Sequence, residues 1–128
     1  MPQTISTENA PAAIGTYSQA VKAGDNVFIS GQIPLDPNTM EVVSKDFQAQ
    51  AHQVFKNLEG ICAAAGGSLA KCVKLTVYLT DLGDFAALNE VMQSYSEAPF
   101  PARAAIEVSA LPKGVSIEID AIMYLGDG

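Results

Sequence analysis

The sequence predicts an α+β sandwich: one mixed or antiparallel sheet with two helices on one face. Three observations carry this expectation. Two segments repeat apolar residues at helical spacing, one segment alternates as a half-buried strand does, and extended apolar runs come in pairs toward both ends of the chain. The resulting order is ββ, α, β, α, ββ, which suits a single sheet covered by both helices.

The first extended run covers 27–33. Val27, Phe28 and Ile29 are β-branched or aromatic, the turn signal Gly24, Asp25 and Asn26 precedes them, and Pro34 and Pro37 follow. Residues 17–23 are the expected antiparallel partner across that turn. A helix is predicted over 46–65, where Phe47, Ala51, Val54, Leu58, Ile61 and Ala65 fall on one face, and Gly66 and Gly67 close it. Those two glycines follow a helix rather than a strand, so they read as a cap and not as a phosphate loop. His52 lies about 140° from the centre of the stripe at 100° per residue, and a solvated surface histidine is expected there.

Over 72–80 the chain alternates strictly. Val73, Leu75, Val77 and Leu79 point one way, and Lys74, Thr76, Tyr78 and Thr80 the other. Asp81 and Asp84 supply capping chemistry for a second helix whose stripe is Phe85, Leu88, Met92 and Tyr95, with Asn89 at its edge. Residues 96–101 end that helix. Two further strands are predicted over 103–110 and 115–125, joined by 111–114. In the last one, Ile117, Ile119, Ala121 and Met123 make a face for the helices, and Ser116, Glu118, Asp120, Ile122 and Tyr124 make the other.

Bulk properties narrow the function classes. The 128 residues, 13.4 kDa, are read as a single domain over 1–128, since such a chain buries about two thirds of its unfolded surface. Hydrophobic residues make up 48% and charged ones 16%. That surplus, with Ile122, Tyr124 and several alanines among carboxylates on the outer sheet face, predicts a homo-oligomer. No apolar run approaches the roughly 18 residues needed to cross a bilayer, and the first residues lack the basic and apolar regions of a secretory signal, so a cytoplasmic protein without membrane contact is expected. A net charge of −7 opposes phosphate backbones, which argues against nucleic acid. Cys62 and Cys72 lack metal-ligand spacing and there is one histidine, so no metal is expected and both thiols are read as reduced core residues.

Arg103 is the only arginine, beside six lysines. Two prolines, Pro99 and Pro101, lead into the strand it opens, and a guanidinium there is a planar fork for a carboxylate. The alternative is an ion pair with Glu107 or Glu118. Asp120, between Ile119 and Ala121, is unusual because aspartate is depleted in strands and costly to desolvate unless paired. Its partner could be Arg103 or a lysine. Ser30 and Gly31 interrupt a strand, which marks either a plain bulge or close approach by a ligand. Tyr17 is a core-edge aromatic or part of a cleft. Ser30 has no histidine partner and neither cysteine has a basic neighbour, so nucleophilic catalysis is hard to support. An Arg, an Asp, a Tyr, an Asn and backbone amides instead fit binding a small carboxylate and directing one water at it.

Together these segments resemble the RidA-type reactive-intermediate deaminases, the enamine/imine deaminase or YjgF family. The likeness runs over nearly the whole chain and is carried by residues 7–15, 17–19, 29–34, 81–89, 100–103 and 111–122. It implies a chorismate-mutase-like fold and a homotrimer with inward-turned sheets and clefts between neighbouring subunits. The implied reaction is hydrolysis of 2-imino acids such as 2-iminopropanoate and 2-iminobutanoate, formed from enamines such as 2-aminoacrylate, to 2-oxo acids and ammonia, a form of metabolite damage control. No cofactor is implied, because the pyridoxal phosphate belongs to the enzymes upstream. Residue by residue, Arg103 matches the carboxylate-binding arginine, Asp120 the water-directing acid, Tyr17 the cleft tyrosine, and Ser30, Gly31 and Asn89 the pocket lining. Ala105, read as substrate-binding, stands where the family often has Cys; thiol chemistry there is excluded, and the loss is small if only its backbone contacts ligand. The family acid is usually Glu, and Asp120 is one methylene shorter. A competing reading on the same scaffold is a non-catalytic binder of small carboxylates or a chaperone-like protein. Ribonuclease activity, attached to relatives, is opposed by the acidity of this chain.

Overall fold

A computed structural model describes residues 2–126. Its elements are β1 (Gln3–Ile5), β2 (Ala20–Ala23), β3 (Asn26–Gln32), α1 (Phe47–Ala64), β4 (Cys72–Leu79), α2 (Phe85–Met92), β5 (Ala102–Glu107) and β6 (Ile117–Tyr124). Six strands form one sheet in the order β1-β2-β3-β6-β4-β5. Among the described residues only β4 and β5 run parallel, joined through α2, so of the two expected arrangements the sheet is the mixed one. Among the described residues, no helix is long and apolar enough to cross a membrane.

Helix α1 starts where Asp46 accepts a hydrogen bond from the Ala49 amide at 2.9 Å. It stops at Gly66, whose φ of +91° lets the amides of Gly66 and Gly67 turn back onto the carbonyls of Ala63 and Cys62. Its predicted stripe packs against Ile117, Ile119, Ala121 and Met123 of β6 and Leu75, Val77 and Leu79 of β4, all within one core. Two polar side chains are buried beside the stripe. Asn57 donates to the carbonyls of Ile33 and Leu35 at 3.3 and 3.0 Å. Gln50 donates to the Ser44 carbonyl and accepts from the Ser116 amide. A buried amide without partners costs about 1–3 kcal/mol, so these bonds tie the helix to loops with no strand to hold them.

Several expectations are corrected. β1 was not predicted, because three residues cannot show alternation. Residues 17–19 form a loop rather than strand: buried Gln19 turns its side chain onto the carbonyls of Pro11, Thr7 and Ala10, at 2.7, 3.0 and 3.3 Å, and clamps the preceding segment. α2 ends at Met92, and Tyr95 lies beyond it, stacked on Phe55 with ring centroids 5.0 Å apart. His52 is therefore half-buried, with Nδ1 2.8 Å from the Tyr95 hydroxyl, not a fully solvated side chain. Asp81 caps the short 3-10 turn before α2 by accepting from the Gly83 amide at 2.8 Å, while Asp84 makes no side-chain cap. β5 and β6 are shorter than predicted, and Val115 is buried ahead of its strand.

The uncovered face of the sheet mixes chemistry. Phe28 and Ile106 are 48% and 46% exposed there, beside half-buried Ile122, Tyr78, Glu118 and Asp120. Cys62 and Cys72 are buried free thiols with sulfurs 3.7 Å apart.

Candidate active site

Register decides where the site residues point. Arg103 pairs with Leu75 and Ala105 with Val77, and these β4 residues pair with Ala121 and Ile119. Paired residues share a face, so Arg103 and Ala105 lie on the helix side of the sheet, at its β5 edge. Asp120 pairs with Thr76 and Glu118 with Tyr78, which places both acids on the uncovered side. The residues singled out in the sequence therefore form two groups within one chain.

The first group surrounds Arg103. Its Nη1 donates to Asn89 Oδ1 at 2.7 Å and approaches Met92 Sδ at 3.6 Å, and the guanidinium lies 5.0 Å from the centroid of the Phe85 ring. All three contacts come from α2, whose pitch brings Phe85, Asn89 and Met92 to one side. The suggested ion pairs do not form. Glu107 accepts from the Leu82 amide at 2.9 Å, and Asp120 accepts from Tyr78. An amide, a thioether and a ring hold the guanidinium in place without neutralising it. Beside it opens a cleft of about 550 Å³ bounded by Asn89, Met92, Gln93, Phe100, Pro101 and Arg103.

The second group lies across the sheet. Ser30 and Gly31 do form a bulge, since the β3 register shifts between Ile29 and Gln32 against β6. The Ser30 hydroxyl donates to the Ser18 carbonyl at 2.6 Å and its amide to the Gln19 carbonyl at 3.0 Å, so the bulge is stitched to the loop that carries Tyr17. Tyr17 itself is 54% exposed. A Cβ on Gly31 would collide with the Glu118 carboxylate, so glycine is needed for that acid to lie over the bulge. Burial pushes Glu118 above the ordinary carboxylate range, and the neighbouring Asp120 charge adds to the shift. The Tyr78 hydroxyl donates to Asp120 Oδ2 at 2.9 Å, and that bond raises the phenol above its usual value.

Sequence reasoning missed Phe85 and Met92 as the seat of the arginine, treating them only as a packing stripe. It also left Tyr78 as a member of a strand face. The alternation of β4 puts Tyr78 on its polar side, but its meeting with Asp120 depends on the pairing of β4 with β6, which the residue pattern does not reveal. Among the described residues, no three His, Cys, Asp or Glu side chains gather closely enough to hold a metal ion.

The geometry defines a class of protein: a small α+β sandwich with, among the described residues, an arginine seated by neutral groups at a cleft and a carboxylate cluster on the opposite sheet face. Comparison with known proteins narrows that class. The family model described as Endoribonuclease L-PSP matches residues 7–125. A RutC family protein of Sinorhizobium fredii is 54% identical over 125 residues, covering 98% of this chain and 99% of that protein. The 2-iminobutanoate/2-iminopropanoate deaminase of Salmonella typhimurium is 50% identical over 125 residues, 95% of this chain and 97% of that one. The crystal structure of RidA from an Antarctic Psychrobacter superposes with a TM-score of 0.92 at 60% identity, over 95% of this chain and 98% of that chain. This chain belongs to the YjgF/RidA family.

Proposed function

We propose that this protein hydrolyses small 2-imino acids to 2-oxo acids and ammonia, as the name of its Salmonella relative describes for that enzyme. The observation that carries the proposal is the seating of Arg103, among the described residues, by neutral groups alone. A guanidinium fixed in this way keeps its full charge for a ligand. In a cleft between subunits, its planar fork grips the substrate carboxylate and sets the imine carbon in place. Asp120 orients or deprotonates a water against that carbon, and Ser30, Gly31 and Tyr17 line the same cavity. Backbone groups around Ala105 complete the side nearest the arginine. The attack gives a carbinolamine, and expulsion of ammonia leaves the 2-oxo acid. Imine hydrolysis is intrinsically fast, so positioning by so few groups suffices.

Because Arg103 and Asp120 occupy opposite faces of one sheet, we infer that each site combines the arginine group of one subunit with the Asp120 group of its neighbour. A ring of three, closed by a head-to-tail interface, forms three such sites. The partly apolar uncovered sheet face, with Phe28, Ile106 and Ile122, supports burial against a neighbour. The name of the family model raises a ribonuclease reading, which the net charge of −7 opposes.

The test is release of oxo acid from freshly generated 2-iminopropanoate. Purified protein accelerates it, and Arg103→Ala removes the acceleration while leaving the melting temperature within about 2 °C, as expected for an exposed side chain. Binding of 2-oxobutanoate without any acceleration would instead select a non-catalytic carboxylate binder.

A further inference from the structure

We propose that Tyr78 is a positioning residue for the reaction: its hydroxyl holds the Asp120 carboxylate so that the second oxygen faces the attacking water. The inference rests on the deaminase reading above and assigns a part to a residue that reading does not use.

The bond runs one way. A phenol can donate and an ionised carboxylate can only accept, so the 2.9 Å contact between the Tyr78 hydroxyl and Asp120 Oδ2 commits the tyrosine proton to that oxygen. Oδ1 then keeps its lone pairs for another donor. The need for such a hold follows from aspartate itself. Its terminal torsion is broad and roughly two-fold, so an unheld carboxylate swings between orientations. Glu118 lies two residues earlier on the same face, and like charges on neighbouring positions drive the two acids apart. Thr76, directly opposite Asp120 on β4, makes room beside it, while Tyr78 reaches Asp120 diagonally from its place opposite Glu118.

The support for Tyr78 is itself rigid. It is the penultimate residue of β4, between Val77 and Leu79, which are both fully buried, and β4 is paired on both sides there, with β5 and β6. The tyrosine therefore holds the acid from a fixed strand on one side, as the Ser30 and Gly31 bulge crowds the Glu118 carboxylate on the other. The raised phenol keeps its proton through the neutral and mildly alkaline range, so the donor does not fail where the base must work.

The experiment is a double-mutant cycle on the full chain, with Tyr78→Phe and Asp120→Asn alone and together. It reads the rate of oxo-acid release from 2-iminopropanoate and, separately, the affinity for the stable product 2-oxobutanoate. Phenylalanine keeps the ring and its packing. We expect Tyr78→Phe to slow the reaction about tenfold, the size of a lost bond to a charged group. Affinity for 2-oxobutanoate should stay within about twofold, because Arg103 is untouched. In the Asp120→Asn background, Tyr78→Phe should cost nothing further. A Tyr78→Phe protein at full rate, beside an Asp120→Asn protein that is slow, overturns this proposal alone. An equal added loss in the Asp120→Asn background also overturns it, since the tyrosine would then act elsewhere. A wild type with no activity removes the deaminase reading and this inference together.

Discussion

Arg103 and Asp120 lie on opposite faces of the same sheet, two strands apart. Arg103 is in register with Leu75, and Leu75 with Ala121, the residue after Asp120, so the aspartate points away from the arginine. The two groups on which the proposed chemistry depends thus do not meet within a subunit. Each half is nevertheless ordered by its own neighbours, Asn89 and Phe85 for the arginine and Tyr78 for the acid.

The first consequence concerns Asn89, which holds the arginine from α2 at 2.7 Å. Replacing it with alanine lets the guanidinium swing away from the cleft without removing its charge. Affinity for 2-oxobutanoate, read by calorimetry, should fall about tenfold. The melting temperature should hardly move, because the bond is exposed. Unchanged affinity would mean that the arginine needs no help from α2.

Gly60 offers a test of packing in which the usual rule reverses. In an open helix, glycine to alanine gains about 1 kcal/mol. Here a Cβ would meet the backbone carbonyl of Asn9, which cannot rotate aside as a side chain can. Gly60→Ala should therefore destabilise by about 1–3 kcal/mol in urea unfolding. A rise in stability would show that the segment around Asn9 yields.

The raised pKa of Glu118 implies a pH dependence of stability. Its cause is burial first and the Asp120 charge second. Between the ordinary glutamate value and the raised folded value, the unfolded chain is ionised while the folded one keeps its proton. Stability from this group is thus complete below that window and lost as pH rises through the folded value. Glu118→Gln cannot ionise, so its melting temperature should gain on the parent as pH increases across the mildly acidic range. Parallel curves would contradict this account of Glu118.

Much of the fold was legible in the residues. Strict alternation from Val73 to Leu79 identified β4, and the stripe from Phe47 to Ala65 identified α1 with its glycine cap, because burial on one side of an element leaves a period. β1 left no such trace. Residues 17–19 looked extended, but the buried Gln19 amide satisfies loop carbonyls in place of a strand ladder. At the site, residue types were legible and their arrangement was not. Parity grouped Arg103 with Ala105 and Glu107, yet β5 is an edge strand half-exposed on both sides, so nothing in its pattern tells which face looks at the helices. Only the register across β4 decides it, and register is a tertiary property.

The central claim is that one site is shared by two subunits, and mixing subunits tests it most directly. Arg103→Ala chains, inactive alone, and Asp120→Asn chains, slow alone, are co-expressed in equal amounts and purified together, and oxo-acid release from 2-iminopropanoate is measured. Wherever an intact Arg103 from one chain meets an intact Asp120 from the next, a working site is rebuilt, and random assembly at equal amounts restores about a quarter of wild-type activity in a head-to-tail ring. Mixed assemblies no more active than either parent would contradict the shared site.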